Sequence, residues 1–215
     1  MAERLAIAIE EGKKKVFASA LEWPGWSRSG KTEEAAIEAL LAYAPRYTPV
    51  AGRAGLRFAT SFEADVIERA AGGSATDFGV PSALAFEADR RPVDAAEAAR
   101  LASLVEAAWA TFDGVAEHAP AELRKGPRGG GRDRDRMVAH VDGSDWYYAK
   151  DIGIRVPEPT SRAETEAMRA QMLSLLRLPS DGSPLAGRRW PLRYAARRIA
   201  WHALDHAWEM EDRST

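Results

Sequence analysis

Apolar positions fall into two textures along the 215 residues of the chain. Through the first ninety they alternate weakly or come in short runs, and from Pro92 onward they recur every three or four residues. Leu5 to Ile9 alternates, Gly12 marks a turn, and Val16 to Leu21 forms a second run, which predicts a hairpin. Trp23-Pro24-Gly25-Trp26 is turn chemistry, because proline presets one dihedral and glycine permits a positive one. Thr32, followed by Glu33 and Glu34, predicts a helix N-terminus; Ala35, Ile37, Leu40 and Leu41 continue that helix until near Ala44, before Pro45. Leu56 to Ala59, Asp65 to Glu68 and Ala83 to Phe86, separated by Gly72-Gly73 and Pro81, are expected to be strands that complete a small sheet.

The second texture predicts four helices. Asp94 and Glu97 have capping-box spacing, and Leu101, Leu104, Val105, Ala108, Phe112 and Val115 follow on one face. A glycine-rich loop from Gly126 to Gly131 leads to a second helix from about Arg132 to Lys150. Ser161 and Glu164 repeat the capping box before a third, whose stripe Met168, Met172, Leu175 and Leu176 ends at Pro179. A fourth begins near Pro191, where proline suits a first turn. The expected fold class is α+β, with a small sheet-and-helix domain over residues 1–90 and a helical domain over residues 91–215.

Composition narrows the function. Charged residues make up 29% of the chain and apolar ones 46%, ordinary values for a chain that folds. A net charge of -2 gives no global footprint for nucleic acid or an anionic membrane. No apolar run approaches the ~20 residues that cross a bilayer, and the Met1-Ala2-Glu3-Arg4 start lacks a signal peptide's apolar stretch, so a cytoplasmic location is expected. Cysteine is absent, which removes disulfides, thiolate metal sites and a cysteine nucleophile together.

The chain has 4 histidines. His202 and His206 are four apart on the last helix, so their side chains share one face and can share one metal ion. Leu192, Ala195, Ala196, Ile199, Ala203 and Met210 define the inward stripe of that helix, and both histidines fall within it. On the second helix of this half, Met137, Val141, Ser144 and Tyr148 face inward with His140 among them. Spacing alone fits equally a three-histidine metal site with an open position and three buried histidines satisfied by hydrogen bonds. Glu209 flanks the stripe as a candidate proton acceptor or orienting group, and Asp205 and His118 are expected to face solvent. Tyr194, Trp201, Leu204 and Trp208 form a second apolar face that needs a partner, either the N-terminal domain or another subunit in a homodimer.

His140 on one helix and His202-Ala203-Leu204-Asp205-His206 on the last, separated by a long gap, resemble the DinB family over roughly residues 92–213. That resemblance implies an up-down-down-up four-helix bundle holding a divalent metal, zinc or nickel, through three histidines at these positions. Glu209 occupies a place where many members carry glutamine. It also implies kinship with thiol-dependent S-transferases, among them bacillithiol transferases and mycothiol-dependent maleylpyruvate isomerase. A low-molecular-weight thiol would then be the cosubstrate of a small-molecule reaction, and a cysteine-free chain would need such an external thiol. A metal-dependent hydrolase using the same open site is an alternative.

Leu21-Glu22-Trp23-Pro24-Gly25-Trp26 with Gly30-Lys31-Thr32-Glu33-Glu34-Ala35 is similar to HicB-like antitoxin domains over about residues 5–45. This likeness implies a regulatory or binding module that is not catalytic, although no helix-turn-helix or ribbon follows it, and a scaffold role fits the same residues. The alternating run Arg132 to Arg136 is the expected solvated start of a helix, and Arg188-Arg189 with Arg197-Arg198 is a candidate basic patch.

Overall fold

The computed structural model describes residues 2–81, 86–125 and 131–214. Among these residues the chain is α+β, a 4-stranded sheet with seven α-helices. The elements run β1 (Glu3–Glu11), β2 (Val16–Ala20), β3 (Ser27–Gly30), α1 (Glu33–Ala42), α2 (Ala44–Arg53), β4 (Phe62–Ala71), α3 (Ser74–Phe78), α4 (Ala95–His118), α5 (Arg134–Asp151), α6 (Arg162–Leu176) and α7 (Leu192–Ser214).

The sheet order is β3-β2-β1-β4. The expected hairpin pairs Ile7 with Ala20 and Glu11 with Val16, and β3 extends it antiparallel. β4 returns parallel to β1, with Glu3 opposite Phe62, which requires the chain to cross over through α1 and α2. Alternation then divides the side chains. Leu5, Ile7, Ile9, Ala18 and Ala20 join a core with Leu40, Tyr47 and Val50, while Phe17 on the other face meets Trp201 of α7 edge-to-face at 6.4 Å. The sheet therefore lies between α1 and the last helix.

Three helix starts follow the expected capping. Thr32 Oγ1 accepts from Ala35 N–H at 3.2 Å, an Asp94 carboxylate oxygen from Glu97 N–H at 2.8 Å, and Ser161 Oγ from Glu164 N–H at 3.3 Å. Each satisfies a first-turn donor that the helix itself leaves unpaired.

The first helix ends at Ala42, close to the expected end near Ala44, and Pro45 then stands in the first turn of a separate helix, α2, where its missing N–H costs no hydrogen bond. One expectation changes. Leu56 to Ala59 is not a strand. Phe58 instead packs against Trp23, Trp26 and Tyr47 with ring centroids at 4.8, 5.3 and 5.4 Å, so apolarity there serves an aromatic cluster rather than a pleat. Asp65 to Glu68 does lie within a strand, β4, whereas the expected strand over Ala83 to Phe86 and the Gly126 to Gly131 loop fall largely outside the described residues.

In the second half, α4 packs against α7 and α6, and α5 packs against α6 and α7. One buried core runs from the sheet through these helices. The second apolar face of α7 is covered by the chain's own N-terminal segment, with Trp201 at 4% and Trp208 at 2% exposure. Gly25 has φ +92°, and a Cβ there would lie 2.7 Å from Leu204 Cδ1. Only glycine lets the Trp23 to Trp26 turn touch α7 this closely.

Candidate metal centre

α7 is locked in rotation by fully buried Ala195, Ala196, Ile199, Ala203 and Met210 on one side and by the sheet on the other. That fixes His202 and His206, one turn apart, toward α5. On α5, Met137 and Val141 are fully buried and set His140 beside them, facing α7.

The three imidazoles converge. His202 Nε2 and His140 Nε2 are 3.2 Å apart, and the ring centroids of the three pairs lie 4.7 to 5.0 Å from one another. One ring nitrogen from each falls within 4.8 Å of the others, and this is the metal-competent group among the described residues. His202 is 6% exposed, the His206 side chain is 12% exposed, and His140 is half-buried.

Electrostatics keeps His140 and His202 neutral. Burial, the Arg132 guanidinium and His206 push the His140 imidazole down to about 4. Burial, His206 and Arg198 push His202 well below the ordinary histidine range. Both rings are thus unprotonated at neutral pH, the form that offers a lone pair to a cation. Glu209 Oε2 accepts from His206 Nδ1 at 3.0 Å, while Glu209 Oε1 accepts from Arg213 at 2.8 Å. The first bond places the His206 proton on Nδ1 and leaves Nε2 free, and it holds the Glu209 carboxyl below its usual range.

These residues fit a divalent ion. Ligand nitrogens at about 2.0–2.1 Å from a tetrahedral zinc are separated by roughly 3.4 Å, close to the His140–His202 contact. Two neutral imidazoles meeting Nε2 to Nε2 either share a proton or turn lone pairs on each other, and a cation between them resolves that repulsion. His202 Nδ1 is buried and has no hydrogen-bond partner.

No family model, curated protein or solved structure matches the chain. The likenesses to DinB and HicB proteins rest on the motifs alone, and the site is argued from its own geometry.

The remaining candidates separate. His118 closes α4, exposed, donating Nδ1–H to Gly114 O at 2.8 Å, and takes no part in the cluster. Asp205 is not on a solvated helix side as expected; it pairs with Arg28 of β3 at 3.1 Å, and burial raises its carboxyl. Arg197 is no surface cation either, being buried against Asp89 at 2.6 Å. Two features escaped the sequence reading. One is a charged network of Asp113, Asp142, Asp145, Arg162 and Arg169, whose members are too far apart in sequence to signal one another. The other is Arg198, whose spacing of four before His202 was the available clue.

Proposed function

We propose that the chain binds one divalent metal ion, zinc or nickel, through His140, His202 and His206, and acts as a thiol-dependent S-transferase on a small molecule. The observation carrying this reading is the 3.2 Å approach of two neutral Nε2 atoms, with the third imidazole oriented toward them by Glu209. Imidazole donors suit zinc and nickel rather than calcium or magnesium. The pairings α4 with α7, α7 with α5, α5 with α6 and α6 with α4 close a ring, which supports the DinB-like four-helix bundle.

When bound, the ion supplies a Lewis-acid position that favours the thiolate form of an external thiol. The chain's own residues have distinct tasks. Glu209 orients His206 and is itself engaged by Arg213, so it acts as a positioning residue rather than a free base. Among the described residues the carboxylates nearest the imidazoles, Glu209 and Asp205, are both engaged, which favours thiol transfer over hydrolysis, since hydrolysis would draw on a free base to activate water. A chain with no cysteine takes its sulfur from a cosubstrate, and abundant low-molecular-weight thiols belong to the cytoplasm. The HicB-like segment is read as scaffold, since its sheet and its Trp-Pro-Gly-Trp turn are spent on covering α7.

Elemental analysis of tag-free protein expressed with zinc and nickel available should find about one ion per chain. His206→Ala should lose most of it, because two imidazoles hold a divalent ion poorly; the affinity should drop by more than ~100-fold, beyond the loss typical of an outer-shell change. The ion should also raise the thermal midpoint, since it binds the folded state alone. Wild type that holds no ion and is indifferent to chelator sinks the site; a bound ion without transfer to any electrophile across a panel of small thiols removes the transferase assignment.

A further inference from the structure

The three histidines are one end of a longer polar stripe between α5 and α7. His140, Ser144 and Tyr148 are spaced by four on α5, and Arg198, His202 and His206 by four on α7, so each set lies along one line of its helix. The lines run antiparallel: His140 faces His202 and His206, whereas the Tyr148 ring is 5.6 Å from that of His202 and 5.4 Å from Arg198 Cζ. The Trp201 ring is 4.9 Å from the same Cζ, so two aromatic rings fix the guanidinium.

This end of the stripe has a cation without a counter-anion. Arg198 forms no ion pair with a carboxylate among the described residues; it hydrogen-bonds the Tyr148 side chain, and its bond to Pro81 O is long at 3.5 Å. Trp201 Nε1 is buried with no partner, and so is His202 Nδ1. The adjacent Arg197 shows the contrast, since its guanidinium meets both Asp89 carboxylate oxygens, through Nε and Nη2. The carboxylates on the same helix are committed elsewhere, Asp205 to Arg28 and Glu209 to His206 and Arg213. Buried polar groups in folded proteins are almost always satisfied, so a cation without a carboxylate and two buried nitrogens without a partner, within about one turn, mark a place for an acceptor from outside.

We propose that Arg198 anchors an anionic oxygen group, carboxylate or phosphate, of the small molecule processed at the three histidines, with the Trp201 indole N–H beside it. This rests on the metal reading for what happens at the other end of the stripe. Arg198 and His202 are one turn apart, roughly 6 Å between Cβ atoms, so the reacting atom of the substrate lies a few bonds from its charged group.

The test is titration of the metal-loaded protein with benzoate, phenyl phosphate and neutral benzamide at fixed ionic strength, followed through the Trp201 indole resonance. Benzoate or phenyl phosphate should shift that resonance saturably and benzamide should not, and the tighter of the two names the group. Arg198→Met should weaken the anion about tenfold or more, Arg198→Lys less, with the metal content of both unchanged. Equal binding of benzamide and the anions, or unaltered anion binding in Arg198→Met, overturns the proposal while a full complement of metal leaves the metal reading standing. Conversely, Arg198-dependent anion binding in a wild type that holds no metal overturns the metal reading and retains the anion site. Should Arg198→Met not fold, the Arg198→Lys titration against benzamide carries the same decision.

Discussion

Two polar seams flank α5, and they are built on opposite principles. Toward α4 and α6, each charge has an opposite partner. Arg169 is 5% exposed, contacts Asp145 at 2.8 Å, Asp142 at 3.1 Å and Asp113 at 3.2 Å, and Arg162 meets Asp113 at 2.6 Å. Toward α7, His140 and His202 are neutral, and Arg198 lacks a carboxylate among the described residues. A network whose charges answer one another holds helices in place. A seam with open donors and lone pairs is poised for something the chain does not itself supply.

The comparison breaks most visibly at Arg169. Arg169→Ala strands three carboxylates together, two of them partly buried and Asp145 fully so, and should cost about 3–5 kcal/mol in urea unfolding, the usual penalty for removing one partner of a buried ion pair. Metal content of whatever remains folded should not change. A loss below ~1 kcal/mol would mean that the network is ornamental to stability.

A smaller effect concerns pH. Burial outweighs the attraction of Arg169 and pushes the Asp145 carboxyl up to about 6, from an ordinary 3.8. The folded chain therefore holds this proton more tightly than the unfolded chain does. Its contribution to stability is fully present below pH 3.8 and is lost as pH rises through about 6. Asp145→Asn does not titrate, so its stability relative to wild type should rise between pH 4 and pH 7.5 by on the order of 2 kcal/mol. Parallel pH profiles for the two proteins would remove Asp145 from the account.

The third contrast is finer. Glu209→Ala leaves all three imidazoles but frees His206 Nδ1, and metal affinity should fall about tenfold, the lower end for loss of an orienting partner. Competition with a chromogenic chelator measures it, and Glu209→Gln, which keeps an acceptor oxygen, should recover part of the loss. An unchanged affinity in Glu209→Ala would show that packing alone orients the ring.

Local signals were the legible ones. Thr32, Asp94 and Ser161 declared their helices because a cap acts on a donor three residues away. His202 and His206 could be placed on one face for the same reason, and Trp201 and Trp208 announced a covered face before the covering strands were known. Pro45 marked the end of one helix but not the start of the next, because α2 is held by its packing against α4, far along the chain. Arg169 and Asp145 carry no local signal of their partnership. Their pairing depends on how α5 and α6 are turned toward each other, which nothing within either segment specifies.

The Gly25 contact carries a mechanical corollary. One residue of screw motion along a helix is roughly 100° of turn and 1.5 Å of travel. With the glycine turn wedged at Ala200 and Leu204, α7 cannot make even a fraction of that motion without expelling the turn. The turn is therefore a ratchet pawl for the helix that bears two of the three imidazoles.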